Sequence, residues 1–227
     1  LSLCVSPARD PEIGALRHST SPGLLDYPVA LPDEGLPAFN CFNYGKMKTL
    51  SYFIETHGCQ MNEHDSEKIS GLLIQYGMLP APAMGEADLI ILNTCSVREK
   101  ASHKVFSRLG ELKPLKAKHP GLIIGVAGCV AQQEGDAIIR RAPHVDLVVG
   151  THQYHTLPDI LDQLLDSRRA GRSHEPGSQP VVTGFVREAS PSEIQAVKRN
   201  TSFRANITIM EGCNKQCAYC IVPFTRG

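Results

Sequence analysis

Four short apolar runs rich in β-branched residues, each followed by a segment of helical periodicity, constrain this chain more than any other feature. The runs are Leu50 to Thr56, Leu89 to Thr94, Leu122 to Gly128 and Val145 to Val149. Runs of this length suit buried strands, and strands separated by helices join through right-handed crossovers into a parallel sheet covered on both faces. The intervening segments carry matching signals. Asn62 to Tyr76 places Ile69, Leu72, Leu73 and Tyr76 on one face, with Gly77 positioned as a stop. Ser96 and Glu99 have capping-box spacing before a helix whose Ala101, Val105, Leu109 and Leu112 face inward, and Pro114 is expected to disrupt it. Thr156 is placed to cap a last helix bearing Leu157, Ile160, Leu161, Leu164 and Leu165. The predicted unit is an α/β domain over 47–166, a doubly wound, flavodoxin-like parallel sheet.

The flanks read differently. Residues 1–46 hold six of the chain's sixteen prolines and no apolar periodicity, as an irregular leader would. The first methionine, Met47, stands directly before the first strand-like run, so the natural start is expected there and the leader is read as not native. After the last helix, the polar stretch from Asp166 to Gln179 reads as the beginning of an exposed linker over 167–201. Phe203 to Met210 then reads as one more strand, which delivers the chain into a cysteine cluster and makes 202–227 the beginning of another domain.

Charge narrows the function classes. Lys and Arg number 23 and Asp and Glu number 23, so no global basic field draws the chain to polyanions, and any nucleic-acid contact must be local. Lys113, Lys116, Lys118, Arg140 and Arg141 are the candidates for phosphate contact, although scattered helix charges are ordinarily solvated. Apolar runs such as Leu89 to Leu92 fall far short of the roughly 20 residues a membrane span needs. No signal-peptide order precedes Met47, and a cytoplasmic location is expected. In that compartment eight cysteines point to metal or redox chemistry rather than disulfides.

Six of the eight fall into two sets. Cys213, Cys217 and Cys220 give C-x3-C-x2-C on a loop, three thiolates able to close around one centre. A structural zinc site wants a fourth ligand at a characteristic distance, and none follows before Gly227, whereas a four-iron cubane held by three cysteines keeps one iron open. Cys59, Cys95 and Cys129 each lie between a strand and the following helix. In a parallel sheet those positions share the carboxyl edge, where such folds place ligands, so the three can converge. Iron–sulfur, zinc and a redox thiol set remain options there, against the reading that each is an ordinary small buried hydrophobe. His57 and His64 flank the first cysteine and are read as supporting or surface residues, not ligands. Cys4 and Cys41 lie in the leader and are read as incidental.

The stretches His57-Gly-Cys-Gln-Met-Asn-Glu, Asn93-Thr-Cys-Ser-Val-Arg-Glu-Lys-Ala, Gly128-Cys-Val-Ala-Gln and Glu211-Gly-Cys-Asn-Lys-Gln-Cys-Ala-Tyr-Cys-Ile-Val-Pro-Phe-Thr-Arg-Gly resemble the radical S-adenosylmethionine methylthiotransferases. Within that family they are most similar to the tRNA 2-methylthioadenosine synthases, and the likeness covers Lys48 to Gly227. The resemblance implies an N-terminal methylthiotransferase domain, 47–166, whose Cys59, Cys95 and Cys129 hold an auxiliary 4Fe-4S cluster. It implies a second 4Fe-4S cluster on Cys213, Cys217 and Cys220 that binds and cleaves S-adenosylmethionine, on the first strand and loop of a truncated radical SAM (β/α) barrel. Tyr219 matches the aromatic position beside the adenine of S-adenosylmethionine, with packing against the loop as the alternative. Lys215 and Arg226 are candidates to sit near anionic groups, with solvated charge as the ordinary reading.

The implied reaction is methylthiolation of carbon 2 of an N6-isopentenyl-type adenosine next to the anticodon of tRNA. That C–H bond is too strong and too little acidic for a side-chain base. The auxiliary cluster is implied in sulfur delivery and a second S-adenosylmethionine in supplying the methyl group. The expected partners are tRNA and an electron donor such as flavodoxin or ferredoxin, with no membrane, and a monomer is expected. Most of the barrel and the family's small RNA-binding domain lie outside this sequence, so the chain alone is expected to be inactive. The alternatives are relatives acting on threonylcarbamoyl-adenosine or on a ribosomal protein, and a non-catalytic metal-binding module.

Overall fold

The structure is a computed structural model describing residues 49–97, 99–171, 177–185, 206 and 208–227. The leader 1–46, with Cys4, Cys41 and the reading of Met47 as the start, lies outside the described residues. Six strands form one wholly parallel sheet in the order β2-β1-β3-β4-β5-β6: β1 (Ser51–His57), β2 (Leu79–Pro80), β3 (Leu89–Thr94), β4 (Ile123–Ala127), β5 (Leu147–Val149) and β6 (Val181–Val182). The first five strands follow the 2-1-3-4-5 order of a flavodoxin-like sheet, whose winding reverses between β1 and β3.

The central strands are buried on both sides, as a parallel sheet requires. Every residue of β3, β4 and β5 is buried. Alternation along β3 sends Leu89 and Ile91 to one face and Ile90 and Leu92 to the other. The first face packs α1 (Gln60–Gln75) through Ile69 and Leu73, and α5 (Leu157–Arg169) through Leu157, Ile160, Leu161 and Leu164. The second packs α2 (Glu99–Lys118) through Val105, Leu109 and Leu112, with the short α3 (Cys129–Glu134) and α4 (Asp136–Arg141). Among the described residues no helix is long and apolar enough to cross a membrane.

Several local expectations are corrected. Helix α2 runs through Pro114 to Lys118. Pro114 forgoes one backbone bond to residue 110, which is a glycine, while Leu112, Leu115 and the Lys116–Asp146 ion pair hold the last turn against the body of the domain. The same helix begins at Glu99, so Ser96 is not its N-cap, and the Ser96 Oγ is buried without a hydrogen-bond partner among the described residues. Thr156 does occupy the N-cap of α5, yet its hydroxyl donates to the Gln153 carbonyl at 2.7 Å and caps nothing. Gly77 stops α1 as expected: it takes φ +95°, and the N–H groups of Gly77 and Met78 close on Ile74 and Leu73. Strand β6 lies inside the expected linker 167–201, just past its polar stretch, where two valines suffice to extend the sheet. Of the expected strand Phe203 to Met210, only Asn206 and Thr208 to Met210 are described, and among the described residues no strand pairs with them; Ile209 is 94% exposed.

Candidate functional site

The ends of β1, β3 and β4 stand side by side at the carboxyl edge, and each leads directly into one of Cys59, Cys95 and Cys129. The register pairs His57 with Thr94 and Asn93 with Ala127, so Cys95 and Cys129 each lie two residues past a paired position. Cys59 and Cys95 also flank the point where the winding reverses. Two glycines bring the turns together. A Cβ on Gly58 would stand 2.5 Å from Cys95 Cβ, and one on Gly128 would stand 2.9 Å from the Thr94 carbonyl oxygen. Gly128 also takes φ +89°, a conformation other residues adopt only with strain. The Cys95 N–H then donates to the His57 carbonyl at 2.9 Å, locking the β1 and β3 exits to each other.

Below the cysteines lies a buried polar layer. Asn93, the penultimate residue of β3, donates from Nδ2 to the Asn62 carbonyl and to Ser66 Oγ, each at 2.8 Å, and accepts from Asn62 Nδ2 at 3.1 Å. Ser66 also shares a 2.7 Å hydrogen bond with Thr56 of β1. The first half of α1 is thereby pinned to the sheet by hydrogen bonds instead of apolar contact. Its Asp65 meets Arg226 at 2.6 Å and accepts from the Tyr154 hydroxyl at 3.2 Å. Burial, aided by the Asp65 carboxylate, pushes the Tyr154 phenol well above its usual value. Burial alone draws the Arg226 guanidinium down, but the Asp65 carboxylate outweighs it and raises the pKa, so Arg226 is a permanent cation.

Among the described residues, no three His, Cys, Asp or Glu side chains form a ready metal-binding group. The structure gathers the backbone turns that carry Cys59, Cys95 and Cys129, while two of the thiols have other partners. Cys59 donates to Asn62 Oδ1 at 3.4 Å, and Cys129 Sγ accepts from Arg226 Nε at 3.2 Å. Cys59 is exposed and Cys95 and Cys129 are buried, all as free thiols. The donor set suits a thiolate-ligated cluster, and so do the surroundings. Among the described residues Thr94 Oγ1, Ser96 Oγ and the two Arg226 Nη atoms are buried without hydrogen-bond partners, as is Asp65 Oδ1. All but the last carry protons to donate, and thiolates and inorganic sulfides only accept.

The second set sits on a loop with a closed neck. The Cys213 N–H donates to the Gly227 carbonyl at 2.6 Å, and Cys220 N–H to the Cys217 carbonyl at 3.0 Å. The short α6 (Val222–Thr225) follows, and its exit docks on the sheet edge. Thr151 Oγ1 donates to the Thr225 carbonyl at 2.6 Å, and His152 Nε2 lies 2.9 Å from the Arg226 carbonyl. Tyr219 is 93% exposed. Lys215 is exposed, whereas Arg226, a candidate to sit near an anionic group, is buried against Asp65.

The remaining charged candidates are largely committed within the chain. His57 Nε2 lies 2.7 Å from Glu55, and His64 Nδ1 lies 3.7 Å from Glu67. Lys116 binds Asp146 and the His144 carbonyl, and the Arg141 guanidinium lies 3.4 Å over the Phe106 ring. Sequence reasoning did not single out Asn62, Asp65, Ser66 or Asn93. The signal was available for two of them, since Asn62 and Asn93 fall inside the cysteine motifs.

Residues 51–150 match the family model described as uncharacterized protein family UPF0004. The chain is 49% identical over 183 residues to a protein of Carboxydothermus hydrogenoformans named tRNA-2-methylthio-N(6)-dimethylallyladenosine synthase, covering 80% of this chain and 39% of that protein. Proteins with the same name from Ralstonia pickettii and Herminiimonas arsenicoxydans are 48% and 50% identical over 176 residues, or 77% of this chain. The chain spans 36% and 37% of those two relatives, well under half the length of each protein it matches.

Proposed function

The chain belongs to the radical S-adenosylmethionine methylthiotransferase family, and on that premise we propose that it serves methylthiolation of a tRNA adenosine in the cytoplasm. In this reading Cys59, Cys95 and Cys129 hold an auxiliary 4Fe-4S cluster. Cys213, Cys217 and Cys220 hold a second, which binds S-adenosylmethionine, with 202–227 as the beginning of that cluster's domain. The supporting observation is that three neighbouring strands each end in a cysteine at one sheet edge, beside buried donors that lack acceptors. The substrate is carbon 2 of an N6-isopentenyl-type adenosine, by likeness to relatives named for dimethylallyladenosine.

When bound, the clusters supply one-electron reduction and sulfur, chemistry that side-chain acids and bases lack. The chain's own residues hold and shield. Gly58 and Gly128 keep the turns in close approach, the Asn62–Asn93 pair fixes α1 against β3, Arg226 donates to Cys129, and Thr94 and Ser96 carry buried hydroxyls on either side of Cys95. Tyr219 offers an exposed ring to the adenine of S-adenosylmethionine. A flavodoxin- or ferredoxin-type protein supplies electrons, and the chain acts as a monomer.

Anaerobic reconstitution with iron and sulfide tests the cluster reading. The chain turns brown, and replacing Cys59, Cys95 and Cys129 together by Ala removes about four irons per chain, one cubane. Unchanged iron content in that variant, or a colourless zinc-loaded protein, overturns it. The substrate is tested separately: a strain lacking the gene loses its 2-methylthio-adenosine nucleosides from tRNA, and an unchanged nucleoside profile excludes this substrate.

A further inference from the structure

Arg226 carries the loop of the second cysteine set to Cys129 of the first. Its side chain is 7% exposed and its partner Asp65 1%. A buried guanidinium is costly unless it is paired and hydrogen-bonded. Here the pairing is incomplete. Nη2 lies 2.6 Å from Asp65 Oδ2, Nε donates to Cys129 Sγ at 3.2 Å, and among the described residues neither Nη atom makes a hydrogen bond of good geometry. A neutral thiol is a weak acceptor for a cation, whereas a thiolate ligand and its neighbouring sulfides are strong ones. The backbone is as fixed as the side chain. Arg226 N–H donates to the Val222 carbonyl at 2.8 Å, and its own carbonyl lies 2.9 Å from His152 Nε2.

We propose that Arg226, aimed by Asp65, is the cation that tunes the cluster held by Cys59, Cys95 and Cys129, donating to the Cys129 sulfur and raising the cluster's reduction potential. The inference rests on the cluster reading above and goes beyond it by assigning a residue of the other cysteine loop to this centre. Reduction adds negative charge to a cluster, and potentials follow net charge and hydrogen bonds to the sulfurs. A fixed positive charge touching a ligand sulfur therefore favours the reduced form. Asp65 positions Arg226 and acts only through it.

The test is an anaerobic potentiometric titration, followed by electron paramagnetic resonance, of the 227-residue chain carrying Cys213→Ala, Cys217→Ala and Cys220→Ala, so that a single cluster reports. Arg226→Met is expected to lower the midpoint potential at unchanged iron content, Arg226→Lys to keep it nearer the parent, and Asp65→Asn to shift it in the same direction as Met by less. A Met variant that binds iron at the parent's potential overturns the proposal. So does one that folds with the parent's circular dichroism yet binds no iron, because Arg226 is then a structural tie. Should Arg226→Met fail to fold, Arg226→Gln is titrated in its place and judged by the same two outcomes. Absence of iron from the triple-Ala parent itself overturns the cluster reading instead, which keeps the two failures distinct.

Discussion

The two edges of the sheet are built by opposite rules. At the amino edge, charged groups sit near the surface and complete one another. Asp88 accepts from Ser51 N–H and Oγ, each at 2.9 Å. Asp146 accepts from the Ile124 N–H at 2.7 Å while pairing with Lys116 and Arg168. At the carboxyl edge the polar groups are buried, the turns depend on glycine, and among the described residues the Thr94 and Ser96 hydroxyls on either side of Cys95 have no hydrogen-bond partners. The first edge is finished by its own residues. The second has the composition of a place that awaits something else, the usual asymmetry of parallel sheets carried to the level of single atoms.

The sharpest way to break this contrast is to put the same methyl group at each edge. Gly128→Ala, which combines a positive φ with contact on β3, is expected to cost about 4 kcal/mol in urea unfolding. Gly121→Ala, which meets nothing within 4 Å, should change stability by less than about 0.5 kcal/mol. Equal effects would mean that the carboxyl turns are not closely approached. Next in size is Asn93→Leu, which strands Asn62 and Ser66 in the interior and should lower stability by about 3 kcal/mol in the same assay.

The smallest effect belongs to the amino edge and concerns pH. Burial, with Lys116 and Lys113 nearby, lowers the His144 pKa below its ordinary 6.5, although the ring still contacts the Leu109 carbonyl at 2.7 Å. The opposing charge facing it is Asp146. Between the lowered folded value and 6.5 the unfolded chain binds more protons than the native one, so stability rises with pH through that window and falls on acidification. Melting temperatures of His144→Gln against the parent over that window should show a shallower slope in the variant.

What could be read in the sequence follows the same division. Strands β3, β4 and β5 announce themselves because both of their faces are buried, β1 because its run is apolar and β-branched though only half-buried, and with them came the cysteines that follow β1, β3 and β4. Helix α1 was read through Ile69 and Leu73, the apolar stripe that periodicity finds. Its other anchor, Asn62, Asp65 and Ser66, is polar, and no hydrophobic pattern marks a helix held down by amides and hydroxyls. Strands β2 and β6 are two residues each, too short to alternate. For Arg226 the sequence left a place beside an anionic group and a solvated one both open, because the group that decides between them, Asp65, lies 161 positions earlier in the chain.

Strand β6 has a mechanical consequence. It is joined to β5 by the hydrogen bonds from Val148 N–H to Pro180 and from Gly150 N–H to Val182, and it runs in the same direction as the rest. It therefore releases the chain at the same edge of the sheet at which Cys59, Cys95 and Cys129 lie, and a two-residue change of register, the smallest that keeps each valine on its own face, would move that point of release by about 7 Å.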